Sequence, residues 1–264
     1  MAPDPHVYSA ITATDDPSRF TLVVEAELCA YGNDRYFLMG GVGSGSAVEA
    51  LEIVTGRPLI TASTQFLSYA TLGEELTIVA EVQVEGRALT QARATSWVGD
   101  RAVVAVTGAF GERPDDEERA WFTMPDVPAP LDCPVRLPEW HEMPSLHDRI
   151  EQRLVPASDA AATGRILSWT RPLRPGPLSA GYLAVLADFL PMSTYEVFTR
   201  EHSTNSLDNV LRIHGSAASE WVLMEHQLSA IGRGLFHIEG RLFAENGTLV
   251  ATAGQSGLVR YGDR

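Results

Sequence analysis

Hydrophobic residues recur along this chain mostly with strand spacing. Strand-like runs cover 58–68, 75–84, 88–98 and 102–111, and again 206–214, 220–230, 234–244 and 248–260. Each set is preceded by an extended segment (20–30 and 164–169) and a helical stretch (41–54 and 178–190). Trp221, Val222, Leu223 and Met224 are apolar at consecutive positions, which predicts a strand covered on both faces. Asn246-Gly247 between two apolar runs predicts a tight hairpin with both turn residues at positive φ. One helix followed by four antiparallel strands, twice over, predicts a helix wrapped by a curved sheet. Two such units can join their sheets edge to edge and so remove exposed strand edges.

The two sets are copies of one pattern. Shifted by 146 residues, Gly86–Gly111 falls on Gly232–Gly257 without a gap. Identical pairs are Gly86/Gly232, Arg87/Arg233, Leu89/Leu235, Val104/Val250, Ala105/Ala251, Gly108/Gly254 and Gly111/Gly257. Between the copies, residues 112–150 hold Pro114, Pro125, Pro128, Pro130, Pro134, Pro138 and Pro144, too many for the interior of a helix or sheet. The expected organisation is therefore a first unit at 1–111, a Pro-rich acidic linker at 112–150 and a second unit at 151–264. Trp121, Phe122 and Trp140 suggest that the linker packs along a surface.

Composition narrows the classes. The 264 residues include 20 Lys+Arg against 34 Asp+Glu, a net charge of -14 that disfavours nucleic acid and anionic membrane as partners. No secretory signal or membrane-length apolar run is visible, so the default is a reduced, cytoplasmic protein with no membrane association. Cys29 and Cys133 cannot form a disulfide framework and are expected to be inert. The histidines lack zinc-ligand spacing, and no metal or cofactor is expected. The glycines from Gly40 to Gly45 lack the Lys-Ser/Thr of a phosphate loop and serve helix packing better. Without a G-x-S-x-G elbow an α/β-hydrolase is disfavoured.

Specific runs then become informative. Asp188-Phe189-Leu190-Pro191, Ser206-Leu207-Asp208-Asn209, Glu220-Trp221, Gly232-Arg233-Gly234, Asn246-Gly247-Thr248-Leu249-Val250-Ala251 and Gln255-Ser256-Gly257-Leu258-Val259-Arg260 resemble the acyl-CoA thioesterase II family. The resemblance implies an α+β double hotdog: two tandem repeats, each a central helix wrapped by a curved antiparallel sheet. It also implies hydrolysis of an acyl-CoA thioester to free acid and coenzyme A, and through that a place in fatty acid metabolism. Carried over by position, the catalytic trio is Asp188, Ser206 and Gln255, holding the attacking water. The backbone at Ala180–Gly181 would supply donors for the carbonyl oxygen. Arg233, Arg212, Tyr182 and Phe189 are candidate substrate contacts, and Arg171 and Arg174 further candidate cations. The family further implies a homo-oligomer, a dimer of double hotdogs.

The residue chemistry is compatible with these roles. A buried carboxylate gains basicity, a carboxamide both donates and accepts, and a hydroxyl can orient a water. Taken singly, Asp188 also reads as a solvated carboxylate at a helix end, and Ser206 and Gln255 as polar residues on an exposed strand face. Only their joint match favours a site. At the 146-residue offset Gln255 meets Ala109 and Ser206 meets Ile60, and aligning Gly41 with Gly181 sets Val48 opposite Asp188. The first unit thus lacks the trio, and one site per chain is expected. The alternatives are a non-catalytic acyl-CoA-binding hotdog and a hotdog hydratase or dehydratase. The second fails on spacing, since Asn209 and His214 stand one and six residues after Asp208.

Overall fold

A computed structural model describes residues 11–32, 35–112, 119–136, 145–156, 159–174 and 176–262. The strands are β1 (Thr12–Ala13), β2 (Arg19–Val23), β3 (Cys29–Gly32), β4 (Arg35–Leu38), β5 (Leu59–Phe66), β6 (Glu75–Glu85), β7 (Leu89–Val98) and β8 (Arg101–Gly111). They continue as β9 (Ile150–Leu154), β10 (Arg165–Pro172), β11 (His202–Ile213), β12 (Val222–Gly232), β13 (Leu235–Ala244) and β14 (Leu249–Tyr261). The α-helices are α1 (Gly40–Thr55), α2 (Ala160–Thr163), α3 (Ala180–Ala187) and α4 (Thr194–Val197). Apart from the β3–β4 hairpin, the described strands form one antiparallel sheet in the order β1-β2-β6-β7-β8-β5-β11-β14-β13-β12-β10-β9. The two halves meet at β5 and β11, where Val210 lies opposite Ser63 and Arg212 opposite Thr61. This is the double hotdog: one continuous sheet curving around the pair α1 and α3. Among the described residues no helix is long and apolar enough to cross a membrane.

Helix α3 is buried from Gly181 to Ala187, as its apolar sequence requires, and α1 is buried from Gly41 to Val48, before Glu49, Glu52 and the exposed Ile53 mark its second half. Glycine weakens a helix by about 1 kcal/mol per residue relative to alanine, so the run in α1 needs a packing reason. Contact with α3 supplies it. A Cβ on Gly45 would lie 2.6 Å from the Gly181 carbonyl oxygen, and one on Gly41 2.8 Å from the Val185 carbonyl oxygen. The helices touch backbone to backbone and run antiparallel, with the start of α1 beside the end of α3. Helix α1 stops at Gly56, whose φ of 62° is the left-handed cap expected of glycine. Helix α3 begins after Ser179, whose side chain accepts from the Tyr182 N–H. It ends at Asp188, three residues before Pro191 and earlier than the predicted 190.

The described residues 119–136 of the expected linker lie as a strap on the sheet. Trp169 donates its indole N–H to the Pro128 carbonyl at 3.0 Å. Met124, Val127 and Cys133 cover an apolar cluster of Leu167, Trp169, Trp221, Leu223 and Phe243 on the outer face of the second-half sheet. The run Trp221–Met224 is thus covered on both faces. Trp121 does not pack as expected: it is 80% exposed, and Phe122 lies half exposed beneath the Arg241 guanidinium. Trp140 falls outside the described residues.

Turn geometry corrects the repeat. Arg233 and Gly234, at φ 56° and 73°, form the two-residue turn with both residues left-handed. At Asn246-Gly247 only Gly247 has positive φ. Ala244 pairs with Thr248 around Glu245, Asn246 and Gly247, whereas Val98 pairs with Arg101 around Gly99 and Asp100. The second hairpin holds one extra residue. Beyond it β8 and β14 correspond at an offset of 147, not 146, as their duplicated bulges at Val103 and Val250 show.

Candidate active site

The end of α3, the start of α1 and the inner faces of β11 and β14 converge on one carboxylate. Asp188 Oδ1 accepts from Gln255 Nε2 at 2.6 Å and from Ser206 Oγ at 3.3 Å. Gln255 Nε2 also lies 2.8 Å from Ser206 Oγ. Asp188 Oδ2 accepts from the Gly41 backbone N–H at 2.7 Å, so this carboxylate caps the other half's helix. Met39, at the N-cap position of α1, makes no side-chain cap of its own. Burial pushes the Asp188 carboxyl up to about 6, against the opposing pull of hydrogen bonds from Gln255, Gly41 and Ser206. Glycine lets the start of α1 approach this centre closely. A Cβ on Gly40 would lie 2.9 Å from Asp188 Oδ2 and 2.7 Å from the Phe66 ring. The Gly40 N–H, first of the helix, has no protein acceptor among the described residues.

A β-bulge sets the geometry. In a regular strand Ser206 and Asn209, three apart, would face opposite sides of the sheet. The ladder shifts between Ser206 and Asp208, with Ser206 opposite Gly257 and Asn209 opposite Gln255. The extra residue, Leu207, turns both side chains inward. Asn209 is buried and donates through Nδ2 to the Ala187 carbonyl at 3.0 Å and to Gln255 Oε1 at 3.3 Å. Holding that oxygen leaves the Gln255 amide nitrogen directed at Asp188. The sequence places Asn209 in a motif and in the rejected hydratase spacing but not beside the trio, because only the bulge brings it to the same face as Ser206.

The first half carries the same bulge, between Leu59 and Thr61. With the corrected offset, Leu59 corresponds to Ser206, Ala62 to Asn209 and Gly108 to Gln255. Ile60 and Ala109, the partners expected from the gapless alignment, are displaced by one residue. Val48 does stand at the position of Asp188: the Gly41–Val185 contact is matched by Gly45–Gly181, which fixes the helix equivalence. None of the four first-half counterparts carries a polar side chain.

Other expected site residues lie elsewhere. Ala180 and Gly181 are at the far end of α3, about 10 Å along its axis from Asp188, and Gly181 packs on Gly45. The helix start beside the carboxylate belongs to α1. Arg212 is exposed on the outer face of β11, opposite in direction to buried Leu211. Tyr182 and Phe189 are enclosed in the core, Phe189 with its ring edge-on to His147. Arg233 is an exposed turn residue on the rim of the sheet. Arg171 is engaged by Glu151 and Glu220, and Arg174 is exposed. Cations at the Ser206 end of β11 and β14 include Arg200, stacked over Tyr261, and Arg260, which donates to Asn205.

Residues 124–259 match the family model described as the acyl-CoA thioesterase C-terminal domain. A protein of Novosphingobium aromaticivorans, described as a candidate thioesterase, is 32% identical over 94% of this chain and 98% of its own, with a TM-score of 0.86. A candidate thioesterase II of Thermobifida fusca (17% identity, 98% and 99% coverage, TM-score 0.83) shares the fold. So does acyl-CoA thioesterase II TesB2 of Mycobacterium marinum (19% identity, 96% and 97% coverage, TM-score 0.78). No curated protein matches the chain.

Proposed function

Because the chain belongs to the acyl-CoA thioesterase family, we propose that it hydrolyses an acyl-CoA thioester to the free acid and coenzyme A, with Asp188, Ser206 and Gln255 as catalytic residues. Asp188 takes a proton from a water that attacks the thioester carbon. Ser206 and Gln255 hold that water, and Asn209 holds Gln255. The carbonyl oxygen, as it gains charge, is received at the start of α1 by the Gly40 N–H, in the field of the helix terminus. The tetrahedral intermediate collapses with departure of the coenzyme A thiolate, which takes up the proton that Asp188 received from the water. Arg200, Arg260 and Arg233, on the rim, meet the anionic part of coenzyme A. With apolar residues or glycine at the four matching first-half positions, one site per chain follows.

The observation that carries this reading is the shared Asp188 Oδ1, buried and hydrogen-bonded by both Gln255 and Ser206. Its raised affinity for protons suits a base that works near neutral pH. The test is thiol release from a panel of acyl-CoA thioesters by the parent and by Asp188→Asn. The variant is expected to lose about 10²–10⁴ in kcat, the usual contribution of a general base. Equal rates for both would overturn the mechanism. A parent inert on every thioester would favour an acyl-CoA-binding protein.

A further inference from the structure

A second group of polar side chains lies inside the catalytic half. On the inner face of β9, β10 and β12, Gln152, Ser168, Thr170 and His226 are all buried. Ser193, at the end of the turn that follows Asp188, hydrogen-bonds His226 Nδ1. Gln152 donates to Ser168 Oγ at 3.2 Å and accepts from Arg136 at 3.1 Å. His226 is 1% exposed, yet its Nε2 has no hydrogen-bond partner among the described residues. An unpaired buried nitrogen is costly and uncommon in a folded protein.

The repeat acts as an internal control. His226 pairs with Gly240 as Ala80 pairs with Ala94. Ser168 and Thr170 stand opposite Met224 and Val222 as Phe20 and Leu22 stand opposite Ile78 and Leu76. The same face of the first half is therefore built from Ala80, Phe20 and Leu22, all buried apolar residues. The fold does not need polar groups there, so the catalytic half has them for another reason.

Position supplies that reason. Across the ladder, His226 lies beside Gly240, which lies beside Ala253, two residues from Gln255 on the same inner face. Strand spacing then separates His226 from Gln255 by about 12 Å. Leu190 packs in this interval, since a Cβ on Gly240 would meet Leu190 Cδ2 at 2.7 Å. The turn Leu190–Ser193 thus runs from the carboxylate to the polar cluster.

We propose that Ser193 and His226 form the distal end of the acyl-binding chamber and receive a hydroxyl or oxo group on the acyl chain, so that the preferred substrate is an oxygenated acyl thioester. This rests on the thioesterase reading. A hydroxyl, being donor and acceptor, satisfies either tautomer of His226 and Ser193 together. A carboxylate does not fit. Arg136, the cation next to the cluster, is already paired with Glu196 at 3.1 Å and bonded to the Met192 carbonyl. Burial, reinforced by Arg136, holds His226 far below its usual range, at about 3, so the imidazole is neutral.

The experiment compares coenzyme A thioesters of one chain length that are unsubstituted, hydroxylated or oxo-substituted near the distal end, or ω-carboxylated. The parent is expected to favour the hydroxyl or oxo substrate over the unsubstituted one by at least about tenfold in kcat/KM. His226→Ala, which installs the first half's residue, and Ser193→Ala should each bring that ratio close to 1. A parent that prefers the unsubstituted or carboxylated substrate overturns the proposal, as does a ratio that survives in either variant. If the parent hydrolyses no thioester, the thioesterase reading has failed by itself. Calorimetric binding of the free hydroxylated and unsubstituted acids then decides the pocket. A hydroxyl-dependent gain that disappears in His226→Ala supports it, and equal binding overturns it.

Discussion

At the scale of single residues, the most consequential group is a carboxyl that burial has made a weaker acid. Its deprotonated form is the base, so kcat/KM is expected to rise with pH through about 6 and level off above, the rise being absent in Asp188→Asn. Stability follows the opposite direction. The folded state binds this proton more tightly than the unfolded chain, whose carboxyl stays near 3.8. Its contribution is fully present below that value and is lost as pH rises through about 6. Denaturant unfolding from pH 4 to 7 should show the parent losing up to about 3 kcal/mol relative to Asp188→Asn. Asn209 acts one step back, through Gln255. Asn209→Leu is expected to lower kcat about tenfold or more with little change in KM, since it frees the amide that faces Asp188 without touching the rim. An unchanged kcat would leave Asn209 as a packing residue.

At the scale of elements, the α1–α3 contact rests on glycine. Gly45→Ala places a methyl against the Gly181 carbonyl and is expected to destabilise by about 1–3 kcal/mol in chemical denaturation. Gly254→Ala, where an added Cβ meets nothing, should differ little. Arg233→Gly is expected to stabilise by about 1 kcal/mol, because the left-handed conformation strains any other side chain. The four long strands of each half, both helices and the joining of two sheets were legible in hydrophobic periodicity, because alternation records which face is covered. The short strands β1, β3, β4 and β9 were not, and 20–30 is broken by a 3-10 turn at Ala26–Leu28. Asp188, Ser206 and Gln255 were legible only as a joint motif. The role of Asn209, the outward direction of Arg212 and the true partner of Gln255 were not. Each depends on a bulge or a turn length, which shifts the face of a strand by one residue and leaves composition unchanged. The resemblance implies donors at the start of α3; that α1 runs antiparallel to α3 and brings its own start to Asp188 shows only in the packing.

At the scale of the molecule, the β5–β11 seam carries the site. The carboxylate comes from the second half and its backbone donor from the first, so the halves must stay in register. Ser63→Pro removes a ladder donor in the central strand β5 and is expected to cost about 3 kcal/mol or more and to abolish thioester cleavage, as read by unfolding and thiol release. The same seam has a consequence for synthesis. The β5 strand emerges about 150 residues ahead of β11, the strand that will cover it. Until then the nascent first half presents an unpaired edge and a helix start with no carboxylate on it. Slow elongation through the proline-rich strap would lengthen that exposure, and pairing between neighbouring nascent chains is the hazard it opens. Arrival of the second half closes the edge and assembles the centre in one event, so an incomplete chain is inactive as well as sticky.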